Sequence, residues 1–167
     1  MQFETGGGDE PLARLQDLVR ALQTKRNVTE IARLVAGTVR AMTSADGVTV
    51  VLRDGDYCHY LEEDAVSELW KGQRFPATSC ISGWCMQTGQ PAVIPDVFAD
   101  PRIPHEVYRA TFVRCLAMVP VGQTKAIAAL GAYWGAGRII QDTVIGQLAA
   151  VSSIVRPHLS SVVASPG

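Results

Sequence analysis

The chain predicts an α+β domain built on an antiparallel sheet. Helical periodicity is confined to the two ends, while the middle switches to short apolar runs joined by tight turns. The resulting order is two helices, three strands, a short helix with a loop, two strands and a last helix. That is not the alternation of a parallel βαβ array.

Each element follows from its residues. Pro11 to Thr24 sets Leu12, Leu15, Leu18, Val19 and Leu22 at three-to-four spacing, an amphipathic helix. Asn27 followed by Glu30 forms a capping box for a second helix, whose buried stripe is Ile31, Leu34, Val35, Val39 and Met42. A turn at Ala45-Asp46-Gly47 ends it. Val48 to Arg53 is β-branched with period two, a strand, and Asp54-Gly55 turns it into a return strand from Tyr57 to Glu62. Lys71 to Phe75 is a short third strand stopped by Pro76. Ser82 to Thr88 is a short helix closed by Gly89, with Pro91 just beyond. Ala92 to Pro95 is extended, and Asp100-Pro101 with Ile103-Pro104 forces a loop. Glu106 to Thr111 makes one or two helical turns. Val113 to Val121 and Ala126 to Trp134 are apolar strands around Gly122-Gln123-Thr124-Lys125, at the centre of the sheet. Asp142 caps a final helix carrying Ile145, Leu148, Val155 and Leu159, which Pro157 should kink or end.

The totals limit the function. A chain of 167 residues with 47% hydrophobic and 19% charged residues is long and apolar enough for one packed core. The expected division is a flexible leader at 1–10 containing Gly6-Gly7-Gly8, one domain at 11–163 and a tail at 164–167. A net charge of -1 without a basic block argues against a nucleic-acid partner. No apolar run approaches the ~20 residues that span a bilayer, and the N-terminus has no signal-peptide pattern. A cytoplasmic protein without membrane insertion is expected. Its four cysteines, Cys58, Cys80, Cys85 and Cys115, are then reduced rather than paired.

Chemistry-bearing patterns are sparse. Cys58 and His59 alternate across a strand, and Cys80 and Cys85 have no second pair at ligand spacing, so no metal site is expected. Gly131, Gly135 and Gly137 lack the Walker lysine pattern. Asp96 and Asp100 read best as local caps in a proline-bounded loop. The stretch from Gln73 to Val121, by contrast, gathers aromatic and apolar residues between Pro and Gly breaks, the composition of a small-ligand pocket wall.

From Leu12 to Leu159 the chain resembles a GAF domain, of the type found in bacterial sensor histidine kinases. The resemblance rests on ISGWCMQTGQPAVIPDV (Ile81 to Val97), the DPRIP loop after it, MVPV (Met118 to Val121) and AIAALGAYW (Ala126 to Trp134). It extends to the pairing of Trp70 to Pro76 with Tyr133-Trp134. It implies a GAF/PAS-like sheet of about six antiparallel strands with the terminal helices on one face. The segment from Thr78 to Thr111 would cover the other face and enclose a pocket.

Expected ligand-binding residues are Phe75, Cys80, Trp84, Cys85, Asp96, Tyr108, Phe112, Cys115 and Tyr133. The resemblance names no cofactor. Relatives take cyclic nucleotides, bilins or haem, but the only Cys-His pair here lies on an early strand and the NKFDE motif is absent. Ser82, and a position near Arg109, fall where the sulfoxide-reducing relatives carry cysteines, and neither match is a cysteine. The function implied is sensing of an unidentified small-molecule effector in two-component signalling, as a homodimer through Leu15, Leu18, Leu22 and the last helix. No catalytic residue is expected. The alternative is a thiol redox sensor or GAF-fold reductase using Cys80, Cys85 or Cys115. A third reading is a ligand-free module whose pocket is filled by Trp84 and Tyr108.

Overall fold

The computed structural model describes residues 9–164, so the glycine run and most of the expected leader and tail lie outside the described residues. The elements are α1 (Asp9–Leu22), α2 (Val28–Thr43), β1 (Gly47–Asp54), β2 (Tyr57–Ala65), β3 (Arg74–Pro76), α3 (Ile81–Thr88), β4 (Ala92–Ile94), α4 (His105–Arg109), β5 (Cys115–Val121), β6 (Ala128–Trp134) and α5 (Val144–Ala164). The six strands form one antiparallel sheet in the order β3-β2-β1-β6-β5-β4.

Local chemistry sets most boundaries. The Asn27 carboxamide oxygen accepts the Glu30 amide at 2.9 Å, and Glu30 Oε2 accepts the Arg26 amide at 2.9 Å, which starts α2. Gly89, at φ 69°, closes α3 in the left-handed conformation, with its amide donating to the Cys85 carbonyl. Pro157 neither ends nor bounds α5. It lies on the exposed side of the helix, as does Ser153, so the carbonyl it leaves without an amide partner faces water.

The sheet carries a core on each face. On one side, α1, α2 and α5 pack Leu18, Leu22, Ile31, Val35, Val39, Leu148, Val151 and Leu159 against Val48, Val50, Leu130 and Trp134. On the other, the segments 69–86 and 92–113 pack against Val51, Leu116, Met118, Ala129 and Tyr133. Every residue of β6 is buried, as expected for a strand covered on both faces.

Leu18 and Leu22, expected at a homodimer seam, are each 1% exposed and belong to the chain's own core. The apolar residues α1 turns outward are Leu12 and Val19, at 55% and 42% exposure. Leu18→Ala should therefore cost about 2–5 kcal/mol in urea unfolding, and Leu12→Ala less than about 0.5 kcal/mol. Equal effects would contradict this assignment of the two faces.

Candidate functional site

The residue between the sheet and its covering segment is aromatic. Trp70, 3% exposed, lies with its ring centroid 4.7 Å from Tyr108, 5.5 Å from Tyr133 and 5.7 Å from Tyr60. Tyr60 also meets Phe75 edge-on at 5.4 Å. Aromatic pairs in such tilted or edge-on geometry add about 0.5–1.5 kcal/mol each beyond their buried area. These rings fill the space where a pocket is expected.

The loop that delivers Trp70 is tied down by one carboxylate. Glu63 Oε1 accepts the amides of Trp70 (2.8 Å) and Lys71 (2.7 Å), and Oε2 accepts that of Leu69 at 2.8 Å. A bulge in β2 aims Glu63 that way. Val51 pairs with Tyr60 and Val50 with Glu62, so Leu61 is the extra residue and the alternation inverts beyond it. Glu62 is thereby sent to the helical side, 4% exposed, with Lys71 Nζ at 2.7 Å and Arg33 Nε at 3.8 Å.

The polar groups of this layer form short chains. Tyr133 Oη and Thr49 Oγ1 are 2.8 Å apart. Tyr60 Oη lies 3.2 Å from Ser82 Oγ, itself 3.3 Å from Cys80 Sγ. Tyr108 Oη is buried without a hydrogen-bond partner. Burial raises the pKa of Tyr60, Tyr108 and Tyr133 above the ordinary 10.0.

Of the residues expected to line a pocket, Phe75, Cys80, Trp84, Cys85, Tyr108, Phe112 and Tyr133 all join this layer. Trp84 is only half-buried; Arg102 stacks over it at 4.4 Å and is held in turn by Asp100. Trp70 and Tyr60, rather than Trp84, fill the interior alongside Tyr108. Cys115 lies on the opposite face, among the helix-side residues. Asp96 is exposed and caps the turn Val97–Ala99 through the Phe98 amide at 3.0 Å.

The thiols differ sharply. Burial pushes Cys85 up to about 12 and also raises Cys115. Because α3 begins at Ile81, Cys80 rather than Cys85 stands at the helix start. Its pKa is lowered, chiefly by a hydrogen bond from the Cys58 thiol and further by Ser82 and the amides of Ser82 and Gly83.

The family model of the GAF domain matches residues 25–154. The chain belongs to the GAF domain family. No match was found among curated protein sequences. Among solved structures, this GAF domain is similar to that of a phosphoenolpyruvate-protein phosphotransferase from Coxiella burnetii. The two share 12% identity with a TM-score of 0.82, over 95% of this chain and 98% of that one. It is also similar to free methionine-R-sulfoxide reductase from Neisseria meningitidis, at 15% identity and TM-score 0.75 over 98% of both chains. A third similarity is to the chromophore-binding domain of Stigmatella aurantiaca phytochrome P1. There the identity is 15% and the TM-score 0.71, over 94% of this chain and 62% of that one. At such identities the likeness establishes the fold. Among the described residues, no helix is long and apolar enough to cross a membrane.

Two measurements probe the aromatic layer of the domain. Glu63→Ala strands three amides and should destabilise the fold by roughly 2–4 kcal/mol, with Trp70 emission shifted to the red. Glu63→Gln should recover part of the loss. The raised tyrosine pKa values set an alkaline limit. The unfolded chain releases these protons near pH 10, the folded chain only above it. Stability is thus fully present below pH 10 and falls above it, by up to ~1.4 kcal/mol per pH unit for each tyrosine. Three of the four tyrosines should ionise only as the chain unfolds, read as absorbance near 295 nm with circular dichroism.

Proposed function

We propose that this GAF domain is the small-molecule-sensing regulatory input of a bacterial signalling protein, with a histidine kinase as its output. The observation that carries the reading is Tyr108, whose hydroxyl is buried without a partner at the centre of the layer where the family's pocket is expected. Leaving such a group unpaired costs about 1–3 kcal/mol, which a ligand's polar atom can recover. Tyr108 sits on α4, a single five-residue turn that has little intrinsic helical stability. The effector is then a flat, largely apolar molecule that pairs with Tyr108 Oη and replaces part of the packing on Trp70.

Regulation follows from linkage. A ligand that binds an open cover better than a closed one shifts the population toward the open state. The sheet connects that cover to α1, α2 and α5. A cytoplasmic homodimer is proposed through the outward apolar residues Leu12 and Val19 of α1 and Val163 of α5.

Native mass spectrometry and absorption spectroscopy of the purified protein should reveal a retained small molecule. A panel of purine nucleotides, flavins, tetrapyrroles and indoles, screened by melting temperature and Trp70 emission, should give at least one stabilising compound. Tyr108→Phe should weaken it. Absence of any retained molecule and of any response across the panel would leave the ligand-free module as the correct reading. Light scattering should give twice the 17.9 kDa chain mass, reduced to one chain by Val19→Glu. A concentration-independent monomer mass for the unmodified protein would refute the dimer.

A further inference from the structure

The sheet is incompletely covered along β5. Its neighbour β4 pairs with Leu116 to Met118, so Val119 to Val121 run on without a β4 partner. A cleft of about 430 Å³ opens there, between the β5–β6 turn, the connection from α3 to β4, and α5. None of its lining residues belongs to the core that holds the aromatic layer.

The walls of this cleft are held in place. Ser152 Oγ donates to the Pro120 carbonyl at 3.1 Å and ties α5 to β5. A Cβ on Gly89 would stand 2.2 Å from the Gln123 carbonyl oxygen, so only glycine lets the end of α3 approach the turn this closely. The cleft is therefore formed before any ligand arrives, which removes the cost of ordering it.

Arg156 is the one charged residue on its lining. The Arg156 Nε and Cζ would lie 3.3 and 3.4 Å from a Cβ on Gly122, so the guanidinium rests on the bare backbone of that glycine. Among the described residues Arg156 has no ion pair and no hydrogen bond. The segments that build the cleft, 87–95, 115–134 and 143–164, carry Lys125 and Arg156 but no acidic residue. The side chains of Gln123, Thr124 and Ser153, also on the lining, have no hydrogen-bond partner among the described residues either. The remaining wall is apolar, with Pro91, Val119 and Ile145. An unpaired guanidinium beside such donors, at the margin of an apolar wall, complements a carboxylate on an apolar body.

We propose that this cleft binds a small amphipathic carboxylate, which pairs with the Arg156 guanidinium and rests its apolar part on Pro91, Val119 and Ile145.

Charge favours a carboxylate over a phosphate. One guanidinium balances one negative charge, whereas a phosphate monoester carries about -1.5 to -2 near neutral pH. No second cation lines the cleft. The planar fork of the guanidinium also matches two coplanar oxygens. Pro157 adds a further handle. Having no amide, it leaves the Ser153 carbonyl as a free acceptor on the same stretch of α5, open to a hydroxyl or amine on the ligand. A molecule bound here touches α5 and the β5–β6 turn together, at the point where the helix ladder is interrupted.

The test titrates phenylacetate, hexanoate and cyclohexanecarboxylate into the whole chain and follows the amide resonances by NMR. Saturable shifts at millimolar concentrations are expected at Gly122 to Thr124 and along 149–156, with Trp70 emission unchanged. Phenylacetamide, the same body without the charge, should bind at least about tenfold more weakly than phenylacetate. Arg156→Ala should weaken phenylacetate by a similar factor and leave the melting temperature of the free protein unchanged, because the side chain is exposed and unpaired. Arg156→Lys should recover only part of the affinity, since it keeps the charge and loses the fork. The proposal is overturned by equal affinity for phenylacetamide, by undiminished binding to Arg156→Ala, or by tighter binding of phenyl phosphate. Shifts confined to Trp70, Tyr108 and their neighbours, or no saturable shift with any of the three carboxylates, would overturn it equally.

Discussion

One extra residue in β2 organises the covered face of this domain. Without the bulge at Leu61, strict alternation would point Glu62 at the cover and Glu63 at the helices. With it, Glu63 reaches three successive amides of the loop 69–71, and the loop inserts Trp70 between the sheet and α4. A carboxylate that accepts three amides replaces the ladder partners this irregular loop lacks, which is the accounting that buried backbone demands. Tyr60, Tyr108 and Tyr133 then pack around a ring whose position is set by backbone hydrogen bonds rather than by side-chain fit alone.

The two faces of the sheet solve different problems. The helical face is filled chiefly by aliphatic side chains from long elements, with a few side-chain hydrogen bonds to the sheet such as Ser152 Oγ donating to the Pro120 carbonyl at 3.1 Å. The covered face is made from short helices of five and eight residues and extended pieces, with little intrinsic stability of their own. Aromatic rings compensate by offering large buried area at few rotatable bonds. Their hydroxyls bring polar atoms into the interior, and the pairs Tyr133–Thr49 and Tyr60–Ser82 satisfy two of three. Tyr108 is the exception, and it lies on the five-residue α4, whose start has no side-chain cap.

Much of the architecture is legible in the sequence because it is set locally. Asn27 with Glu30, Asp54-Gly55 and Gly89 act through their own backbone neighbourhoods, and each element they bound forms as their chemistry requires. The Cys115 assignment was readable too. In the β5–β6 hairpin, residues paired across the turn keep an odd sum, so Cys115 faces the same side as even-numbered β6 residues. It pairs with Trp134 and cannot share a face with Tyr133. What the sequence hides is tertiary. Nothing local marks Leu61 as a bulge, so neither the inversion of Glu62 and Glu63 nor the insertion of Trp70 is visible in advance. Pro157 shows the same limit: its tolerance depends on which side of α5 meets water, a property of packing and not of the residue.

The aromatic layer and the polar chain at the start of α3 are not independent parts of the domain. Tyr60 belongs to both, since its ring meets Trp70 and Phe75 while its hydroxyl meets Ser82, which in turn meets Cys80. A molecule that displaced Trp70 would change the packing of Tyr60, and a change at Ser82 or Cys80 would change the group its hydroxyl faces. Thermodynamic linkage makes such an influence reciprocal: whatever free energy one event adds to the other is returned in the opposite direction. Coupling of this kind needs no long path through the protein. It needs one side chain with two sets of partners, and the alternation of β2, ahead of its bulge, provides it.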